Sequence, residues 1–216
     1  MTYVKASVRR PAGNPGNGIQ PKDQLVIYDV DDILSFPQRN DAGVVIEDDI
    51  VMKAGRYAIG IYLTPGTAEI SSNSDGETDA EGYTPSVKFN HPGNEQEIRE
   101  FKTNWLSKKC IVVLRYCSGK PADLIGTPCN PCKLSVSYTG SNESNTNELT
   151  FTQISKGDDI AIYRGTDTLE EPVAVVEAGA TDIDYQTDGQ YQLSADAAKI
   201  AGVTGGSHGS VITLMA

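Results

Sequence analysis

Cys110-Ile111-Val112-Val113-Leu114-Arg115-Tyr116-Cys117 is the most apolar stretch of the chain. Its β-branched residues and its length read as a core strand, far short of the ~18 apolar residues of a membrane span. Upstream of it, Asn94 follows Pro92-Gly93 and can cap a helix, with Glu97 at the third helical position as in a capping box. Ile98, Phe101 and Trp105 then share one apolar stripe, with Glu95, Arg99, Glu100 and Lys102 elsewhere. This predicts a helix near 94–107 lying on a sheet, with Trp105, the chain's single tryptophan, in the core.

Further strands are expected on both sides. Before the helix they are Leu25 to Val30, then Val44 to Met52 paired with Tyr57 to Leu63 through the turn Lys53-Ala54-Gly55-Arg56, and a strand ending at Phe89. After it they are Lys133 to Tyr138, Glu148 to Ile154, Asp159 to Arg164, Val173 to Glu177, Gln190 to Leu193 and Val211 to Leu214. Ser194 to Ala201 reads as a short second helix, and no repeat of fixed period is found. Strands without regular helix alternation give a mainly β fold, a β-sandwich or barrel with one embedded amphipathic helix. The expected organisation is an N-terminal arm over 1–24, a β core over 25–165, and a C-terminal β extension over 166–216 packed on that core. Residues 64–85 read as one long polar loop, with Glu69, Asp75, Glu77, Asp79 and Glu81 unrelieved by any Lys or Arg.

The 216 residues carry a net charge of -11, which argues against a general binder of duplex DNA or anionic membrane. With 21 glycines and 11 prolines, the composition suits turn-rich β structure. Met1 to Arg10 lacks the apolar middle of a secretory signal, so synthesis in the cytoplasm without a membrane role is expected. Charge is banded. Lys102, Lys108, Lys109, Arg115, Lys120 and Lys133 form a basic middle opposed only by Asp123, with acidic stretches on either side. Such a band is either a solvated surface or one half of a self-complementary subunit.

Chemistry-bearing motifs are sparse. Leu25 to Leu34 resembles, in Asp29-Val30-Asp31, the opening motif of haloacid dehalogenase-type phosphatases, with Gly157-Asp158-Asp159 as a counterpart of their later acidic pair. It departs at Asp32-Ile33, where that family has Gly-Thr, and the helices of a doubly wound sheet are missing; a strand running into an acidic turn accounts for it. Cys110 and Cys117 stand roughly 23 Å apart along one strand and face opposite ways. Cys129-Asn130-Pro131-Cys132 is half a zinc site, which Cys117 or His91 would have to complete, so free thiols, no metal and no cofactor are expected. With only His91 and His208 as histidines and no nucleophile or phosphate-loop motif, no enzyme is expected.

From about residue 44 to 165 the order of elements resembles phage major tail tube proteins. Cys110 to Gly119, followed by Leu124-Ile125-Gly126-Thr127 and Pro131, looks like a segment of the tail tube proteins of Bacteroidetes phages. Tyr138-Thr139-Gly140, Asn147 to Phe151 and Ile162-Tyr163-Arg164-Gly165 resemble the strand region that comes next. The resemblance implies a virion protein that stacks as rings, commonly six-fold, into a tail tube with other virion proteins. DNA then passes only as transient cargo along a conduit whose acidic wall repels phosphate. On that reading the 64–85 loop, through Ile70, Tyr83 and its carboxylates, docks on a neighbouring copy near the basic band. The alternatives are a carbohydrate- or surface-binding β-sandwich module, or another virion part such as a neck, baseplate or capsid-decorating protein.

Overall fold

The computed structural model describes residues 6–13, 16–18, 20–117 and 119–169, and beyond them five short strands. The chain divides into two units, Met1–Leu169 and Glu170–Ala216. In the first, β1 is Pro21–Asp29, β2 Ile33–Ser35, β3 Val45–Ile46, β4 Val51–Met52, β5 Ile59–Tyr62, β6 Glu69–Asp75 and β7 Gly82–Pro92. Helix α1 (Gln96–Trp105) precedes β8 (Cys110–Tyr116), β9 (Ala122–Ile125), β10 (Cys132–Gly140), β11 (Asn145–Gln153) and β12 (Ala161–Tyr163).

Strand β8 organises this unit. One edge pairs with β1 along its length, Val26 facing Val113 and Tyr28 facing Ile111, and β1 in turn carries β5. The other edge is shared. Residues Val112 to Leu114 pair with β9, while Cys110 alone meets β10 at Cys132. Between the two the chain leaves the ladder at Gly126 and makes a turn in which Thr127 and Asn130 exchange backbone hydrogen bonds. Strand β9 continues into β12 and β3, whereas β10 continues into β11, β7 and β6. A strand path that changes leaf in this way is how sandwich corners form. The two ends of the sheet, β3 and β6, do not pair, so the sheet is sandwich-like and not closed into a barrel.

Both faces of β1 and β8 are consequently covered. On one face Leu25, Ile27, Val112 and Leu114 pack with Val87, Phe89, Leu134, Leu149 and Phe151, the last leaf being aligned by Leu149 opposite Phe89 and Phe151 opposite Val87. On the other face Val26, Tyr28, Ile111 and Val113 pack with Ile46, Ile50, Leu124 and Tyr163. The alternation of β7 and β11 sends every second residue inward, and the Phe89 and Phe151 rings stack at 6.4 Å.

Several expectations need correction. The segments 44–52 and 57–63 do not pair with each other: β3 joins β12, β4 joins β2, and β5 joins β1, because its inward Ile61 reaches the core only there. The helix is shorter than 94–107 at both ends, and Asn94 does not cap it; Glu95 holds that position without a side-chain cap, while the Asn94 carboxamide is taken by Lys102. Ile98 is buried, but Phe101 and Trp105 are half-buried at the core's margin, stacked on each other at 5.7 Å with Lys108 over the indole. The arm ends at β1; of the short strand that Tyr3 to Val8 suggest at its start, residues 3–5 lie outside the described residues and residues 6–8 form none. The core unit runs past residue 165, because Arg115 donates to both Asp167 and the Gly165 carbonyl and Leu169 bridges to Ala58.

The second unit has β13 (Ala174–Val176), β14 (Asp182–Asp184), β15 (Gly189–Leu193), β16 (Gly202–Thr204) and β17 (Ile212–Met215). Every pairing is parallel and skips one strand, giving β13-β15-β17 in one small sheet and β14-β16 in another. The helix expected over Ser194 to Ala201 lies outside the described residues.

Phe151→Ala, which empties a fully enclosed site between the leaves, is expected to cost about 3–5 kcal/mol in urea unfolding. Trp105→Ala, at the margin, should cost about 1–2 kcal/mol, since only part of its surface leaves water. Equal losses would place the helix stripe as deep as the strands.

Candidate functional site

The stretch 64–85 is no loop: Glu69–Asp75 and Gly82–Pro92 form one antiparallel hairpin, in register from Glu69 opposite Lys88 to Asp75 opposite Gly82. Its tip is residues 76–81. Gly76 turns it at a φ of 139°, where a Cβ would lie 2.2 Å from the Ala80 carbonyl oxygen, so no other residue fits. Just below the tip the hairpin is held by Tyr83 and Gly157, which exchange backbone hydrogen bonds of 2.9 and 3.0 Å, and nearer its base the Ser71 and Ser86 hydroxyls meet at 3.0 Å.

The hairpin's acids fall into two groups. Glu69 faces Lys88 at 3.5 Å and Asp75 meets Lys156 at 3.0 Å. Glu77, Asp79 and Glu81 are exposed at the tip and have no ion-pair partner among the described residues. Ile70 is half-buried against the core of the first unit, whereas Tyr83 is exposed.

The basic band divides in the same way. Lys102 donates to Asn94 at 2.8 Å and to the buried Asn147 at 2.6 Å, and sits 5.2 Å from the Tyr138 ring. Asn147 passes a hydrogen bond of 2.6 Å to the Gly93 carbonyl, so the group pins the entry of α1 to β11. Burial, then Arg99, pulls the Lys102 ammonium pKa below its usual range. Lys108 pairs with Asp29, whose other oxygen accepts from the Asp31 amide at 3.1 Å. The Asp29 carboxylate is therefore occupied in closing a turn. Arg115 pairs with Asp167, to which the Tyr28 hydroxyl donates at 2.6 Å. Burial, reinforced by Asp167, raises the Tyr28 phenol well above its ordinary pKa. Lys109, Lys120 and Lys133 are left exposed and without an ion-pair partner among the described residues.

A cleft of about 800 Å³ opens beside the tip end of the hairpin, between the segments 36–44, 81–83, 127–129 and 157–160. Arg39 crosses it, donating to the Gly43 carbonyl at 3.0 Å and the Asp159 carbonyl at 2.6 Å. Its buried Nε has no hydrogen-bond partner and lies 4.0 Å from Asp158. Sequence reasoning missed this cleft because Arg39 and Asp159 meet across 120 residues, with no local pattern to announce the contact. Cys129 lines the cleft while Cys132 is buried, so the C-x-x-C sulfurs lie in different environments. Among the described residues no group of three His, Cys, Asp or Glu side chains is placed to hold a metal ion, and no helix is long and apolar enough to cross a membrane. His91 lies against the Tyr62 carbonyl at 2.9 Å. Compared with known proteins, the chain matches no family model, no curated protein and no solved structure.

Lys156, by hydrogen bond and charge, holds the Asp75 carboxyl below its usual range. A depressed folded value means the pair supports the tip end of the hairpin fully above the unfolded pKa of ~3.9 and is lost as pH falls through the lower folded value. An NMR titration should find Asp75 ionising below the ordinary carboxylate range, and Lys156→Ala should return it there. No change on that substitution would mean the pair does not persist in solution.

Proposed function

We propose that this chain is a structural virion subunit that assembles with copies of itself into stacked rings, the tail tube of a phage, through which the genome passes without being held. The observation that carries the reading is the division of charge on the first unit. The hairpin tip keeps three carboxylates, Glu77, Asp79 and Glu81, and the basic band keeps three lysines, Lys109, Lys120 and Lys133, with no ion-pair partner for any of them among the described residues. Charges of opposite sign left over on two parts of one surface suit a contact between identical copies.

Two further features support it. Among the described residues strand β6 ends the sheet with β7 as its one ladder partner, which leaves its outer backbone edge to a strand from a neighbour. The net charge of -11 disfavours retention of DNA, as a conduit requires. A six-fold ring and contacts to other virion proteins come with the resemblance stated above.

A second reading rests on the cleft. Exposed Tyr83 beside Gln38, Arg39, Glu81 and Asp158 offers an aromatic face and planar polar groups, a combination that suits a sugar. On this reading the protein is a monomeric carbohydrate-binding module.

Light scattering and electron microscopy of the purified chain separate the two. Rings or tubes are expected at high concentration, and a protein that stays monomeric there overturns the assembly reading. Glu77→Lys with Glu81→Lys should leave the circular dichroism spectrum unchanged and slow assembly by about tenfold at low salt, because such charges act chiefly on the association rate. Assembly at the unaltered rate would remove the tip from the contact. Glycan binding by a monomer, lost in Tyr83→Ala, would establish the second reading instead.

A further inference from the structure

The leaf containing β10, β11, β7 and β6 meets β8 at a single ladder position, and both residues of that position are cysteines, Cys110 opposite Cys132. Both are fully buried, and the Cys110 thiol donates to the Cys132 carbonyl at 3.4 Å. Residues facing each other across an antiparallel ladder have Cα atoms about 4.5–5.5 Å apart, inside the window of about 4.4–6.8 Å that a disulfide spans. Gly126 lies against the same pair: a Cβ there would come 3.2 Å from the Cys132 sulfur, on a backbone with a φ of 93°.

We infer that Cys110 and Cys132 form a redox latch, in which a small disulfide such as glutathione disulfide converts the two thiols to a disulfide that fastens the leaves at their corner. One cysteine, as thiolate, attacks the S–S bond of the oxidant, and one small thiolate leaves. The second cysteine then attacks the protein sulfur of the mixed disulfide and expels the other small thiolate. The two protein S–H protons end on two small thiols, the protein gives up two electrons, and the oxidant takes them. Excess small thiol reverses both steps.

Burial holds Cys110 up to about 12 and raises Cys132 as well, so neither is a thiolate at neutral pH while the corner is closed. The latch is therefore set when the corner opens, during folding or by local unfolding. Cys117 and Cys129 are exposed and react first with any added reagent.

The test uses the full chain carrying Cys117→Ser and Cys129→Ser, two exposed positions whose replacement leaves both cores untouched. It is incubated with glutathione disulfide in urea just below the unfolding transition and then returned to buffer. Thiols are counted under full denaturation, peptides are mapped by mass, and melting is followed with and without dithiothreitol. The latch predicts loss of both thiols, a Cys110–Cys132 linked peptide in monomeric protein, and a melting midpoint about 5–10 °C higher that dithiothreitol reverses. Two thiols still countable, two glutathione adducts, or a linked peptide with no rise in melting would each overturn it.

Discussion

The structure depends on burying β8 on both faces while giving its second edge to two leaves at once. Ile111 and Val113 point into one core, Val112 and Leu114 into the other, and each core is completed by strands that reach β8 from distant parts of the chain. A strand in that position has no polar face to spare, which is why its residues are apolar almost without interruption. The sharing also sets the architecture. The path through β9 and β10 must leave the ladder after Ile125 and return at Cys132, and that detour turns what would be one flat sheet into two leaves.

Around these cores the polar groups are used to fix the chain where apolar contact gives no direction. Asn147, fully enclosed, links Lys102 of the helix to the Gly93 carbonyl, so the helix is set against β11 by hydrogen bonds that a slipped register would leave unmade. Asp167 gathers Tyr28 and Arg115, holding the end of the first unit to the face of β1 and β8. Half of the basic band and part of the acidic hairpin are thus spent on folding. Only what remains is available to a partner, a smaller and more specific set than the charge pattern of the sequence offers.

What was legible in the sequence was local. The CIVVLRYC strand, the helix and the run from β10 to β12 each carry their own periodicity within ten residues or so, and the structure has them within a few positions. The hairpin was not legible, because Ser71-Ser72-Asn73-Ser74-Asp75 has the composition of a loop; it becomes a strand on the template of β7, whose Pro85, Val87 and Phe89 are anchored inward. The partners of β3, β4 and β5 were not legible either, since nothing near them names a strand that lies beyond the adjacent turn, as Ser35 does for Val51, Ile27 for Ile59 and Ile162 for Val45. The Asn94 cap failed for a related reason: Lys102 competes for that carboxamide from eight residues on. The parallel, strand-skipping ladder of the second unit has turns of unequal length, Ala174 to Tyr191, Asp182 to Gly202 and Gly189 to Ile212, and so leaves no period to detect. At the candidate site the tip acids and the outer lysines were legible as charge, whereas the cleft around Arg39, built from four separate segments, was not.

The pairing of Val26 with Val113 has a consequence for synthesis. Strand β1 leaves the ribosome with four successive apolar residues, Leu25 to Tyr28, and the strand that covers its far edge is nearly ninety residues behind it. At about 5–20 residues per second that is a wait of roughly 4–18 s, during which β5 can cover one edge of β1 but neither of its faces. The nascent chain is exposed to premature pairing with another copy over that interval, and every copy made on the same message shares the hazard. Shielding Leu25 to Tyr28 until Tyr116 has emerged would therefore raise the yield of native chain without altering any contact in the finished fold.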